Sequence, residues 1–198
     1  MVRGKSGKLN TEEISVSRED PKDSKHQVYW KVLRAVLDLD FRRGHLKWTI
    51  SDLSRSSKVT RSLIYYYFGR SKEDIISEAV RFIGKELFGL SPERMELWEQ
   101  GKIGESVEAS RRAFSKYPFF QGFYFSHRFR PSPVGEQIRE LEKMYFEKIK
   151  QFYPELGAHE VSLLGSMMLG FVVGPEADPK SIQRAVDCFV GKKQDSLV

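Results

Sequence analysis

The segment from Val59 to Asp74 constrains the fold of this 198-residue chain more than any other. It combines a short helical pattern, a turn and the start of a further helix. Residues four positions apart share one face of a helix, so Ile64 and Phe68 would point into a core together. The arginine, hydroxyl and phenol side chains between them would then point outward, and a surface of that kind can read DNA.

Helical patterns also precede this segment. Apolar residues recur at three- and four-residue steps from His26 to Phe41, and Gly44 follows two arginines, as a helix-ending glycine should. Thr49 and Asp52 have the spacing at which a hydroxyl and an acid together satisfy the first amides of a helix. The sequence therefore predicts a first helix followed by a short second one.

Similar residues mark a third helix and a fourth. Thr60 can cap a helix that Gly69 ends, and a turn at Lys58 precedes it. Ser71 and Asp74 belong to a second capping box, which opens a longer helix. Three helices followed by a longer one, with the second and third tightly linked, are typical of a helix-turn-helix domain.

The positive charge of the chain is concentrated in this same region. The whole chain carries a formal net charge of +6, and residues 25–72 hold eleven Lys or Arg against three Asp. A local excess of this size favours a polyanionic partner. Membrane lipid is the competing polyanion, but a lipid-binding helix would need its basic and apolar faces separated along one long stretch, which is not seen.

Cysteine content and hydropathy indicate the compartment. Cys188 is the single cysteine, so the chain has no internal disulfide and suits a reducing environment. The amino terminus has no apolar run behind its charges, and the longest apolar stretch, Val161 to Val173, is shorter than the about 20 residues of a membrane span. We therefore expect a soluble cytoplasmic protein with no membrane partner.

The chain divides into three parts by composition. Residues 1–24 are polar and read as a flexible arm, residues 25–74 form the helix-turn-helix domain, and residues 75–198 form a larger domain. Proline and glycine fall between the helical patterns of this larger domain, which gives an all-α fold class. Its expected helices after the fourth are Pro92–Gln100, Ile103–Lys116, Pro118–Phe129, Pro131–Tyr153, His159–Val173 and Pro179–Val190.

The first domain resembles a known family. The pattern that carries the resemblance runs without a gap from Val32 to Phe68 and is followed by Ser71, Lys72 and Glu73. It resembles the amino-terminal DNA-binding domain of TetR-type transcriptional regulators. Its members are Val32, Leu33, Ala35, Val36, Leu39, Gly44, Thr49, Ile50, Leu53, Val59, Thr60, Ile64, Tyr65, Tyr67 and Phe68.

The resemblance implies that Thr60 to Tyr67 is a recognition helix in the major groove of double-stranded DNA. Arg61 has the chemistry for a bidentate contact with guanine, and Lys72 falls at a position that usually meets a phosphate. For any one tyrosine, packing inside the domain is an equal alternative. The expected DNA-binding residues are Thr49, Thr60, Arg61, Ser62, Tyr65, Tyr66, Tyr67 and Lys72.

Three residues depart from the family pattern. Lys58 occupies a turn position where glycine is usual, and Arg70 is an extra residue before the Ser-Lys-Glu box. Asp40 stands where an aromatic residue is usual, and its neighbour Phe41 could fill that space.

Aromatic residues are clustered from Tyr117 to Phe125, and six in nine positions cannot share one helix face. The resemblance implies a pocket for a small-molecule effector in this domain, although ordinary core packing is the simpler explanation for each residue. The expected pocket wall is Trp98, Phe114, Phe120, Phe123, Tyr124, His127, Met144 and Met167.

Small residues recur every four positions on the helix that ends before Pro175, which would let another helix approach closely. The resembling family forms homodimers through its last two long helices, so we expect this helix and the Pro179–Val190 helix to pair with their copies. An internal neighbour is the alternative. The expected interface residues are Ser162, Ser166, Gly170, Phe171 and Gly174.

The resemblance implies a dimeric repressor that a small molecule releases from DNA; activation would use the same parts. The alternative is a DNA-binding or architectural protein without an effector. An enzyme is disfavoured, because no phosphate-binding loop or nucleophile elbow occurs. We expect no cofactor and no metal, since His26, His45, His127 and His159 have no companion at metal-ligand spacing.

Overall fold

A computed structural model of the chain describes residues 21–116 and 119–191. These residues form ten helices and no strand, which confirms the all-α prediction. None of the described helices is both long and apolar enough to cross a membrane. The helices are α1 (Pro21–Arg43), α2 (Ile50–Ser57), α3 (Arg61–Phe68), α4 (Lys72–Leu87), α5 (Pro92–Glu99), α6 (Ile103–Lys116), α7 (Phe119–His127), α8 (Pro133–Phe152), α9 (Ala158–Val173) and α10 (Pro179–Phe189).

The first helix starts earlier than the sequence pattern indicated. Apolar periodicity placed its beginning at His26 and an arm over residues 1–24, whereas α1 already includes Pro21. Proline has no amide hydrogen to lose in the first turn of a helix, so Pro21 is a favourable first residue. Residues 1–20 of the expected arm lie outside the described residues, as do Tyr117 and Pro118 of the aromatic cluster.

Helices α1 to α4 form a small core around the inward faces of α2 and α3. Val32 and Val36 of α1, Leu53 of α2 and Ile64 of α3 are each 0% exposed. The periodicity had placed these residues inward. Helix α4 packs on α1, α6 and α8, so it runs through the expected domain boundary at residue 75 and joins the two parts. Their buried residues form one continuous hydrophobic core.

In the second part, α6 is the central helix and packs against α4, α5, α9 and α10. Gly104 permits the close approach of α10, because a Cβ atom there would lie 2.0 Å from the carbonyl oxygen of Pro179. The Gly104 amide also donates to the Gln183 side chain at 2.9 Å. Helix α10 therefore lies mainly along α6, with fewer contacts to α9.

Helix α7 packs against α1 and so connects the second part to the first. A Cβ atom on Gly122 would lie 2.5 Å from the ring of Phe41, which means that this ring occupies the space over the glycine. Phe41 therefore does not fill the place of a missing aromatic at Asp40. Asp40 itself is buried there, 1% exposed, and Phe41 packs over α7 while remaining 46% exposed.

Candidate nucleic-acid interface

The second helix is fixed at its start by a reciprocal cap. Thr49 Oγ1 accepts from the amide of Asp52 at 3.1 Å, and Asp52 Oδ2 accepts from the Thr49 amide at 2.9 Å. Arg43 contacts the same carboxylate at 2.8 Å. Hydrogen bonds from Thr49, together with Arg43, lower the pKa of Asp52 to about 2. This acid therefore remains ionised at neutral pH, and it points back toward α1 and the cap.

The turn between α2 and α3 has a left-handed backbone at Lys58, where φ is 56° and ψ is 30°. A side chain in that conformation costs about 1–2 kcal/mol. Two serines stabilise the turn from within: Ser57 Oγ donates to the Leu53 carbonyl at 2.7 Å, and Ser54 Oγ donates to the Val59 carbonyl at 2.7 Å. These hydrogen bonds close the turn around Lys58 in the absence of glycine.

The third helix presents two different faces. Thr60 caps its start by accepting from the Leu63 amide at 3.4 Å, and Gly69 ends it with φ at 77°. Ile64 and Phe68 point into the core, at 0% and 8% exposure. The turn and the apolar face together determine the direction in which the opposite face points.

The outward face of α3 consists of Arg61, Ser62, Tyr65 and Tyr66, all of which are exposed. Tyr66 is 79% exposed, the largest value for a bulky apolar or aromatic side chain among the described residues. The Arg61 guanidinium has one weak polar contact, a 3.4 Å hydrogen bond to Ser51 Oγ. These groups are positioned by the backbone of α3 but are available to a partner.

Two of the expected DNA-binding residues have structural contacts of their own. Tyr67 is half-buried, and its ring meets that of Tyr29 edge to face with 5.6 Å between centroids. The Lys72 ammonium donates to the carbonyls of Leu46 and Trp48 at 2.7 and 3.2 Å. Both residues hold neighbouring segments together, and their contact with DNA stays a prediction.

The loop that precedes α2 is anchored by the buried carboxylate of Asp40. Its Oδ1 atom accepts from the Leu46 amide at 2.8 Å and from the Trp48 indole at 2.9 Å. Its Oδ2 atom lies 3.2 Å from His45 Nδ1 and 3.3 Å from His127 Nε2. Burial raises the pKa of Asp40, but hydrogen bonds from these four residues outweigh it and lower the pKa to about 2.

This cluster brings together two histidines that are 82 positions apart in the sequence with a carboxylate, within 4.8 Å of one another. Local spacing had indicated no metal-ligand companion for any histidine, and that inference missed the cluster. Such spacing detects only ligands on one helix or loop, whereas α7 carries His127 to α1 through tertiary packing.

A cavity of about 280 Å³ lies in the second part of the chain. Two of the eight expected pocket residues, Phe114 and Tyr124, line it. The others lie elsewhere: Trp98, Phe120, Phe123 and His127 are buried in packing contacts, Met167 is partly buried and Met144 is 46% exposed. The remaining wall residues are Leu87, Phe88, Phe125, Arg128, Glu142, Tyr145, Phe146, Ser166, Leu169, Gly170 and Val173.

Most of this wall is apolar, with one polar group of three residues. Arg128 Nε lies 2.7 Å from the Glu142 carboxylate, and the Tyr124 hydroxyl donates to the same carboxylate. Burial and the neighbouring Glu142 raise the pKa of Tyr124. The tyrosine therefore keeps its proton, and the cavity offers an apolar surface beside a neutralised carboxylate.

The small residues of α9 lie largely on the surface. Ser162, Ser166 and Gly170 are exposed, and a Cβ atom added to Gly170 would meet nothing within 4 Å. Gly174 is half-buried at the end of the helix, and Phe171 packs partly against the core. Ser162, Ser166 and Gly170 thus form an exposed stripe of small residues, and no described element of the chain covers this stripe at Gly170.

Solved structures that share this arrangement of helices have sequences very different from that of this chain. A HlyIIR variant, in which an internal segment is replaced by a short linker, aligns with a TM-score of 0.53 and 18% identity, over 81% of this chain and 96% of that chain. PfmR from Thermus thermophilus, a TetR family transcriptional regulator, aligns with a TM-score of 0.51 and 17% identity, over 84% of this chain and 97% of that chain. No protein-family profile and no curated sequence matches. At these identities the similarity establishes the fold.

The turn analysis predicts the effect of a glycine at position 58. Lys58→Gly should raise the free energy of unfolding by about 0.5–1 kcal/mol, because glycine adopts the left-handed backbone without strain but loses more chain entropy. Urea unfolding measures the change. Lys47→Gly is the matched control. Lys47 is exposed and has no positive φ, so this variant should be slightly less stable than the wild type. Equal destabilisation by both variants would show that the Lys58 backbone is not strained.

Proposed function

The chain has the fold of the TetR-family transcriptional regulators, and from that premise we infer that it is a sequence-specific DNA-binding regulator. We propose further that it acts as a homodimer and that a small molecule releases it from double-stranded DNA. The observation that carries the proposal is the outward face of α3, where Arg61, Ser62, Tyr65 and Tyr66 are exposed on a helix fixed by caps at both ends.

The chemistry of that face suits the major groove. A guanidinium can donate two hydrogen bonds to the O6 and N7 atoms of guanine, and hydroxyl groups can contact bases or phosphates. A recognition helix of eight residues is long enough to place its first turn against base edges and its later tyrosines near the backbone. We assign base reading to Arg61 and backbone contacts to Tyr65 and Tyr66.

The surrounding electrostatics favour a polyanion. Asp52 is the only acid from Thr49 to Arg70, and two arginines lie within 4 Å of its carboxylate. Exposed basic residues also lie on the segments before and after α3 in the sequence. They are Lys25, Lys47, Arg55, Lys58 and Arg70.

Arg61→Ala should weaken sequence preference more than general DNA affinity. The DNA would be selected from genomic fragments by the full-length chain, and binding would be compared with a scrambled fragment over a range of salt concentrations. Loss of one bidentate base contact should cost about 1–3 kcal/mol of discrimination. The log–log salt slope, about −0.9 per neutralised phosphate, should stay unchanged.

Arg81→Ala is the matched control, since Arg81 is exposed on α4 and contacts only Glu78 at 3.3 Å among the described salt bridges. This variant should retain both affinity and preference. If Arg61→Ala kept full discrimination, α3 would not read bases through this residue. If the wild-type chain bound no selected fragment more tightly than the scrambled one, the proposed function itself would fail.

The cavity lined by Phe114 and Tyr124 supports the effector part of the proposal. Its volume of about 280 Å³ is close to the lower limit for small-molecule sites, and apolar walls with a few polar groups are typical of them. The walls suit a compact aromatic molecule with one group that can hydrogen-bond to Arg128 or Glu142. Such a ligand lowers DNA affinity only as far as it binds the released conformation more tightly.

Phe125→Ala should weaken the response to such a ligand. Phe125 lines the cavity and is 52% exposed, so its loss should remove about 1–2 kcal/mol of apolar contact and raise the half-release concentration roughly tenfold. Aromatic compounds would be screened for release of the chain from its selected DNA. Phe129→Ala is the control, because Phe129 is 78% exposed and lies outside the cavity wall. An equal response of both variants would place the effector elsewhere.

The exposed stripe on α9 supports the dimer part. Ser166 and Gly170 belong both to this stripe and to the rim of the cavity. Beside them, Leu163 and Val173 are 49% and 43% exposed. This surface therefore offers apolar area, and its small residues allow a partner helix to approach closely. A partner helix on this face would therefore lie near the bound effector, and two copies could present their recognition helices about 34–36 Å apart.

Ser166→Arg should convert the dimer into monomers, because a long charged side chain would have to be buried between two closely packed helices. Sedimentation velocity measures the change in mass. Arg81→Glu provides the control for a charge change on a surface: Arg81 is exposed on α4, which does not pack against α9 among the main helix contacts, and this variant should remain dimeric. A dimeric Ser166→Arg variant, or a monomeric wild-type chain at assay concentrations, would overturn this interface.

A further inference from the structure

The cluster of Asp40, His45 and His127 has no role in the functions proposed above. It lies where the last turn of α1, the loop before α2 and the end of α7 meet. We propose that these three side chains bind a zinc ion, with Oδ2 of Asp40, Nδ1 of His45 and Nε2 of His127 as the ligand atoms. Two imidazoles and one carboxylate are a donor set that zinc accepts, with water in the fourth position.

Two of the distances between the ligand atoms match those of a zinc coordination shell. Oδ2 of Asp40 lies 3.2 Å from His45 Nδ1 and 3.3 Å from His127 Nε2. Charge-assisted N–H···O bonds are shorter, about 2.7–2.9 Å. A tetrahedral zinc ion with bonds of about 2.0–2.1 Å keeps its ligands about 3.3 Å apart. The two distances therefore agree with the edges of a zinc coordination shell.

The residues around the cluster orient the ligands. Oδ1 of Asp40 is occupied by the Leu46 amide and the Trp48 indole, which leaves Oδ2 directed at the two imidazoles. The ring of Phe123 lies against that of His127, with 4.5 Å between centroids. Hydrogen bonds to a ligating carboxylate, such as those that Asp40 Oδ1 accepts here, fix its orientation in metal sites.

The site is also accessible on one side. The Asp40 and His127 side chains are 0% and 3% exposed, whereas His45 is 30% exposed and forms the opening to solvent. Glu73 lies close enough to His45 for an electrostatic interaction and adds negative charge on that side. A zinc ion can therefore enter past His45 and retain a water molecule there.

Zinc at this position would connect the two parts of the chain. Asp40 and His45 belong to the segment that leads into α2, whereas His127 ends the helix that also carries cavity residues Tyr124 and Phe125. A bound ion would hold α7 against α1 and bias the orientation of the recognition helix. This regulatory consequence rests on the proposed DNA-binding function; zinc binding itself does not.

Titration calorimetry of the tag-free, EDTA-treated full-length chain with zinc chloride tests the site in the absence of DNA. We expect one zinc ion per chain with micromolar or tighter affinity. His45→Gln should weaken binding at least about tenfold, since glutamine can still hydrogen-bond to Asp40 but is a poor zinc ligand. His159→Gln is the matched control, because His159 is exposed on α9, and it should bind as the wild type does.

Cobalt substitution provides a readout that does not depend on a variant folding correctly. The wild-type chain with one equivalent of cobalt should show the intense visible absorption of a tetrahedral site, and zinc should displace it. Absence of stoichiometric zinc binding, a cobalt spectrum typical of octahedral hydration, or equal zinc affinity in a folded His45→Gln variant would each overturn the proposal. These outcomes are independent of whether the chain binds DNA.

The regulatory consequence is measured separately on the selected DNA fragment. Zinc should change the DNA affinity of the wild type and of His159→Gln, but not that of His45→Gln. If zinc bound to the cluster without changing DNA affinity, the coupling between the two parts would be refuted while the metal site would stand.

Discussion

The loop that leads into α2 depends on one buried carboxylate. Asp40 is buried in the core and accepts hydrogen bonds from the Leu46 amide and the Trp48 indole. The loop it holds leads directly into the capping residue of α2, and Lys72 binds the other side of this loop through the carbonyls of Leu46 and Trp48. An unpaired charge at this depth would be strongly destabilising, so the loop conformation and the carboxylate require each other.

The turn between α2 and α3 shows how a local departure from a family pattern is compensated. Lys58 lacks the conformational freedom of glycine, yet its backbone is left-handed. Ser54 and Ser57 provide hydrogen bonds to backbone carbonyls on both sides of the turn. Each such bond contributes about 1 kcal/mol, which is comparable to the strain at one left-handed residue. The turn geometry is thus retained at a position that also adds an exposed positive charge beside α3.

The sequence predicts local features of this structure well. Apolar periodicity and capping residues gave the helices and the inward direction of Ile64 and Phe68, because both signals arise from contacts within one or two turns. The partners of Lys72 and Tyr67 could not be predicted this way, since each contacts a residue about 25 to 40 positions away. The residues that line the cavity of about 280 Å³ could not be predicted for the same reason, and of the expected pocket residues only Phe114 and Tyr124 lie in its wall. An aromatic cluster indicates much apolar surface, but packing between helices decides which rings form the core and which line a cavity.

Helix α7 is the element through which the two parts of the chain can influence each other. Its residues Gly122 and His127 contact α1 at Phe41 and Asp40, while Tyr124 and Phe125 line the cavity. A ligand that shifted α7 as a unit from Tyr124 or Phe125 would also change the contacts of Gly122 and His127. One of these contacts involves Asp40, which holds the loop before α2. The contacts of α7 therefore connect the cavity wall with the loop before α2 through a single helix of nine residues.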